Sequence, residues 1–458
     1  MPDPFDRVVA EERLHPNFVQ VRDHATHAPT RGTIRDAFGT YDDPDGNFLE
    51  QFQTTGFDAR VWELYLDVAF KSMDFDVSRP DRPDFMLAKA GESVATEAVT
   101  SNPTQGAEPL PAPITEEELA NRQRHYVPMR LGSALYSKLN MKYWELPHVH
   151  GKPLVLAIEP FFGPDALDYS DATLMTYLYG RSAKAAWDAR GKLQQATEKV
   201  QTHRHGKKEI PSGFFNLPHA EFISAVLFSN SGTIAKFQRV AQEGNHRSQR
   251  VMMARIGACY DHDPEAAVPL AFDYIVGSRP QPETWGEGLS LIHNPHALHP
   301  LDRDLFREIA QTRLDKDGTV WTESPDFYPF VSTTFVADLG SAGAGFPHVG
   351  PVSAVDGTPI VKVSKVAFEI YCLPRIPTIE SLFREDEWFM DHLGRVCGMV
   401  LFDIADRNWS VMILGRDERA FFRAIDFEIN FTSQDDAKAD LVRRMEKAYT
   451  LDTAVFPQ

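Results

Sequence analysis

The sequence predicts an α/β protein, a mixed sheet flanked by helices, and three observations predict it. Residues 56–74 are dense in helix formers, with Arg60, Glu63, Asp67, Lys71 and Asp74 recurring at steps of three or four. Two strand-like runs follow closely, PDFMLA at 83–88 and SVATEAV at 93–99. A further helical pattern then leads to KPLVLAIE at 152–159, an apolar run of strand length.

Residues 1–54 form an N-terminal extension, read as irregular with one short helix and a turn-rich GTYDDPDGN at 39–47. The segment 101–114 holds four prolines and is a loop. Thr115 with Glu118 makes a capping-box pattern that opens a helix to about Arg124. Leu131, Leu135, Leu139 and Tyr143 give a second helix over about 130–143, and another is expected near 171–201. Residues 214–240 read as two strands joined at Asn230-Ser231-Gly232. The stretch 241–330, rich in His, Pro and Asn, gives no clear pattern, and LGSAGAGFPHVG at 339–350 reads as a linker. Strands near 360–371, 396–404, 408–414 and 420–430 and a helix at 434–448 form a small α+β module. The expected division is therefore a 1–54 extension, a 55–205 α/β core, a 206–340 middle α+β region and a 351–458 module.

Composition narrows the function classes. Of 458 residues, 43% are hydrophobic and 24% charged, an ordinary globular balance. The net charge of −18 excludes a protein that coats nucleic acid over its whole surface. Three scattered cysteines, Cys259, Cys372 and Cys397, suit neither a disulfide framework nor a thiolate zinc site. The charged N-terminus lacks the apolar core of a signal peptide, and no apolar run reaches about 18 residues. A cytoplasmic protein with no membrane span is the expectation. The hydrolase-elbow, P-loop and Rossmann motifs are missing from the chain.

Chemistry concentrates at residues 83–99. If Lys89-Ala90-Gly91-Glu92 closes a hairpin in which Ala88 faces Ser93, Asp84 falls directly opposite Glu97. Their Cβ atoms would lie about 4.5–5.5 Å apart on one face. Two carboxylates so close repel unless a proton or a divalent cation sits between them. Oxygen ligands of this kind suit Mg²⁺ or Mn²⁺. Met86, Ala95 and Val99 share that face, so it is not a general solvated surface.

With Glu63 in the helical run WELYL, Asp84 after Pro83, Glu97 on the next strand, and then a helix and the 152–159 strand, the chain resembles the PD-(D/E)XK nuclease superfamily. The run GSALYSKLNMKYWELPHVHGKPLVLAIE at 132–159 is similar to a group of uncharacterised bacterial proteins with such a nuclease-like N-terminal half. The resemblance spans about residues 55–180. It implies a restriction-endonuclease-like core of order αβββαβ, a Mg²⁺ or Mn²⁺ ion held by Asp84 and Glu97, and hydrolysis of phosphodiester bonds in nucleic acid. It also implies a supporting role for Glu63, which belongs equally to the charged stripe of its helix. The chain departs from the family at Val99, where the pattern has lysine. In members with a relocated lysine it comes from the following helix, which makes Lys138 the candidate catalytic cation. Lys142 lies four residues on, on the same expected helix face.

The segment 181–208 carries eight Lys/Arg against two acids. Lys184, Arg190 and Lys192 in it, with Lys142, are the candidate nucleic-acid contacts, a local basic patch in an acidic chain. The alternative is an inactive binding or scaffold protein that keeps the fold, consistent with Val99. The C-terminal module is the candidate surface for an oligomer or protein partner. His293, His296 and His299 surround Pro295, which breaks the helix a zinc triad would need.

Overall fold

The computed structural model describes residues 2–338 apart from 105, 107–109, 111–115, 188–192, 261 and 263–268. It also describes 353–355, 358–363, 383–391, 396–403, 408–416 and 422–452. The chain divides into two units. One comprises Met1–Ala241, Ala258–Leu270 and Glu283–Ser332, the other Gln242–Gly257, Ala271–Pro282 and Thr333–Gln458.

The first unit is built on a mixed eight-stranded sheet. Its strands, in sheet order and chain order alike, are β1 (Asp76–Ser78), β2 (Phe85–Lys89), β3 (Glu92–Ser101), β4 (Leu154–Pro160), β5 (Ala225–Phe228), β6 (Ser290–His293), β7 (Ala310–Leu314) and β8 (Val320–Glu323). β1, β2 and β3 form an antiparallel meander, β4 runs parallel to β3, and β5 runs parallel to β4. Every residue of β4 is buried. A strand covered on both faces reads as a continuous apolar run, which is why 152–159 was legible without alternation.

The helices are α1 (Pro16–Asp23), α2 (Ala28–Gly39), α3 (Phe48–Gln53), α4 (Phe57–Ser72), α5 (Glu116–Asn121), α6 (Val127–Leu139), α7 (Asp171–Tyr179) and α8 (Ile234–Glu243). A π-helical turn, Arg122–Tyr126, joins α5 to α6. Strand alternation splits the core in two. Val94, Val155, Ala157, Ala225 and Leu227 pack with α4 through Val61, Leu64 and Leu66. Ala95, Val99, Leu154, Leu156 and Ile158 pack with α6 through Leu131, Leu135 and Leu139. Helices α4 and α6 thus cover opposite faces of the sheet.

Four expectations are corrected. The first 54 residues are not an irregular extension: α1–α3 belong to the α4-side core, with Phe18, Phe48 and Phe52 fully buried. Phe52 packs against Phe18, Phe48 and Phe57 at centroid distances of 5.4–5.6 Å. Residues 234–243 are helical rather than a strand, because Ile234, Phe237 and Ala241 recur at helical steps and the last two are buried. The helix expected over 171–201 stops at Tyr179, where Gly180 turns left-handed at φ 65°. Beyond it Arg181–Trp187 and Leu193–Lys199 pair as antiparallel strands. The middle region is not separate either, since β5–β8 extend the first sheet.

In the second unit, Ser353–Val355, Thr358–Val363, Phe383–Asp391, Val396–Asp403, Asn408–Arg416 and Phe422–Phe431 form an antiparallel sheet in chain order. Helix α9 (Gln434–Asp452) packs on it through Ala437, Leu441, Val442 and Met445 against Val400, Val411 and Ile413. Gly398 leaves room for this contact, since a Cβ there would lie 2.7 Å from Leu441 Cδ1. The strand 383–391 escaped sequence reading because its charges mask any alternation, and the expected linker at 339–350 lies outside the described residues. Among the described residues, no helix is long and apolar enough to cross a membrane.

Candidate active site

The β2–β3 hairpin sets the geometry. Ala88 pairs with Ser93 and Phe85 with Thr96. Ala90 and Gly91 both adopt positive φ, 53° and 84°, as a two-residue turn between right-twisted strands requires. One residue before β2, Asp84 falls across from Glu97. The Asp84 N–H donates to Glu97 Oε2 at 3.3 Å, and the Ala98 N–H donates to Asp84 Oδ2 at 2.7 Å. Where the backbone ladder stops, these two acids tie the strands together.

Helix α6 supplies the cation. Its apolar stripe seats it on the face carrying Ala95 and Val99, and Lys138 stands at the edge of that stripe beside Leu139. The Lys138 ammonium donates to Glu97 Oε1 at 2.6 Å. Val99, at the position of the expected motif lysine, is 2% exposed and packs in the α6-side core. The helix then ends, Lys142 turns left-handed at φ 54°, and a 3₁₀ turn begins at Tyr143. This reversal returns Tyr143 to the sheet, where its hydroxyl donates to the same Glu97 Oε1 at 2.7 Å.

Asp84, Glu97 and Lys138 are therefore brought together. Lys142 is not, because its left-handed backbone takes it off the helix face shared with Lys138. Its half-exposed side chain lies 3.6 Å from Glu145. Glu63 is buried beside the site without joining it. Its Oε2 accepts from Arg60 at 2.6 Å, Tyr41 at 3.0 Å and Arg79 at 3.1 Å. The Arg79 guanidinium lies over the rings of Tyr41 and Phe85, 4.1 and 4.4 Å from their centroids, and its Nε and Nη1 are buried without a hydrogen-bond partner.

Burial, then the charges of Glu97 and Glu63, push the Asp84 carboxyl up to about 8, against the Ala98 N–H and the Lys138 ammonium. The Asp84–Glu97 pair thus takes up a proton more readily than an ordinary aspartate does. Burial, followed by the adjacent Glu97 charge, likewise raises the Tyr143 hydroxyl, which stays a donor. Among the described residues no three His, Cys, Asp or Glu side chains cluster to hold a metal ion. A cation here would rest on Asp84 and Glu97, with water or substrate completing its shell. The chemistry of the pair fits one: two carboxylates set side by side across the hairpin mark a place where positive charge is favoured.

The expected nucleic-acid contacts are less defined. Lys184 lies in the strand Arg181–Trp187, with its side chain outside what is described, and Arg190 and Lys192 lie outside the described residues altogether. Of the same basic run, Lys208 donates to Ser133 on α6 at 2.8 Å and Arg204 pairs with Glu209. The His293 Nε2–H donates to Gln311 Oε1 at 2.9 Å.

Sequence reading missed Tyr143, Tyr41 and Arg79. Tyr143 was visible as the last member of the Leu131–Leu135–Leu139 stripe, but its hydroxyl carried no weight there. Nothing local marks Arg79. No family model matches the chain, nor does any curated protein or solved structure.

Proposed function

We propose that the protein hydrolyses phosphodiester bonds in nucleic acid with a Mg²⁺ or Mn²⁺ ion held by Asp84 and Glu97, on a restriction-endonuclease-like core. The observation that carries the reading is the convergence of a partly buried carboxylate, Asp84, and a buried one, Glu97, with a lysine from helix α6, Lys138 Nζ standing 2.6 Å from Glu97 Oε1. The order of elements supports it: helix α4, the antiparallel β1–β2–β3 meander, helix α6, then β4 parallel to β3.

When bound, the cation supplies Lewis acidity toward a phosphoryl oxygen and lowers the pKa of a water. Asp84 would serve as a ligand in its ionised form. Glu97 is held in register by the Asp84 N–H and by donors on Oε1. Lys138, with its side chain about one-third exposed (32%), reaches both Glu97 and solvent. Its ammonium stabilises charge developing on the phosphoryl oxygens. A water oxygen would bond to phosphorus and shed a proton to solvent, one P–O ester bond would break, and the departing oxygen would take up a proton from solvent. Glu63, already bonded to Arg60, Arg79 and Tyr41, supports the site electrostatically.

The test is cleavage of plasmid DNA, single-stranded DNA and RNA with Mg²⁺ or Mn²⁺ by wild type, Asp84→Asn and Glu97→Gln. Metal-dependent cleavage by wild type, lost in both variants, is expected. Equal activity in all three would remove the assignment. Inactivity of wild type on every substrate, with nucleic acid still bound, would favour the rival reading of a binding or scaffold protein.

A further inference from the structure

Glu97 Oε1 receives two donors of different character. Tyr143 is 3% exposed and donates at 2.7 Å, while Lys138 donates at 2.6 Å from a side chain 32% exposed. The phenol is fixed by the turn that follows α6 and by the core around it. The ammonium ends a four-carbon arm on the penultimate residue of the helix. One donor is anchored and the other has solvent beside it. A carboxylate has room for both, with about two lone-pair sites on each oxygen.

Resting on the nuclease reading, we propose that Tyr143 is a positioning residue that holds Glu97 Oε1 throughout the reaction, so that Lys138 can leave the carboxylate for the substrate. Without the phenol, departure of Lys138 would strand a buried, charged acceptor, and the ammonium would stay on Glu97. Tyr143 touches neither substrate nor reacting atoms in this arrangement. It acts through the metal-binding glutamate and through the lysine it releases.

Two measurements test this on the full chain. The first is Mn²⁺ binding by calorimetry. Lys138→Met should bind Mn²⁺ at least as tightly as wild type, since Tyr143 still orients Glu97 and a repelling charge is gone. Tyr143→Phe should weaken Mn²⁺ binding roughly 10-fold or more, as loss of a ligand's supporting hydrogen bond does. Weakened Mn²⁺ binding in Lys138→Met would make Lys138 the holder of Glu97 and overturn the proposal, whether or not the tyrosine variant folds.

The second is kcat and KM for oligonucleotide cleavage at saturating metal. Tyr143→Phe, checked for an unchanged thermal midpoint, should lower kcat roughly 10–100-fold with KM unchanged. Added to Lys138→Met at saturating metal it should lower kcat by clearly less than the product of the two single losses, because release of the one ammonium is already lost. A wild-type kcat in Tyr143→Phe, or additive losses in the double variant, would overturn the proposal while wild type and Asp84→Asn still differ. Wild type as inactive as Asp84→Asn would overturn the nuclease reading and this proposal with it.

Discussion

At the scale of single residues, the protonation of Asp84 makes the sharpest claims. Its carboxyl is held at about 8 in the folded chain against an ordinary 3.8. A raised acid favours folding while it is protonated. The contribution is complete below about pH 4 and is lost as pH rises through 8. Without divalent metal, stability should therefore fall between pH 5 and 8, and Asp84→Asn should flatten that slope in urea titrations. Mn²⁺ binding should show the opposite trend, strengthening with pH over the same interval and releasing a proton that calorimetry in buffers of different ionisation enthalpy detects. Glu63 makes a separate claim. Glu63→Gln would leave two partly or fully buried guanidiniums, Arg60 and Arg79, without their counter-charge, at a cost of about 3 kcal/mol in urea unfolding. The Asp84–Glu97 juxtaposition was legible because it needs only a register and a two-residue turn. The Arg79 contact was not, because stacking between Tyr41 and Phe85 joins distant parts of the chain and leaves no local spacing to read. Lys142 misled because a left-handed residue just past a helix end is invisible to periodicity.

At the scale of elements, legibility followed how much of each element's pattern is decided locally. Helices α4 and α6 and strand β4 declared themselves through their own periodicity or length. Helices α1–α3 did not, since their apolar positions are few and gain meaning only when Phe18, Phe48 and Phe52 meet. Helix α8 was read as a strand because Asn230-Ser231-Gly232 resembles a hairpin turn, whereas the glycine answers a packing need. A Cβ on Gly232 would lie 2.6 Å from the rings of Trp62 and Tyr65 and 2.7 Å from Glu159 Oε2. The β2–β3 turn offers a direct check on the hairpin that aligns the acids. Ala90 is exposed and sits at φ 53°, a region asparagine tolerates better than alanine. Ala90→Asn, giving the favoured Asn-Gly turn, should stabilise the chain by about 0.5–1 kcal/mol, read as a shifted denaturant midpoint with unchanged cleavage.

At the scale of the whole molecule, a chain of net charge −18 repels polyanions except where the sign is locally reversed. Two features supply that reversal in the proposed reading, the basic segment 181–208 and a cation on the acidic pair. Nucleic-acid binding should therefore strengthen when Mg²⁺ or non-catalytic Ca²⁺ is added at constant ionic strength, and Asp84→Asn should lose that increment while keeping the metal-independent part. Fluorescence anisotropy with a labelled oligonucleotide checks both. The central claim, that Asp84, Glu97 and Lys138 form a metal-dependent hydrolytic centre, is tested most directly by Mn²⁺-dependent cleavage of a labelled nucleic acid by wild type beside Asp84→Asn and Lys138→Met. The account predicts product only with wild type and metal, with both variants reduced at least about 100-fold. Cleavage retained in Asp84→Asn, or wild-type cleavage undiminished by a chelator, would contradict it.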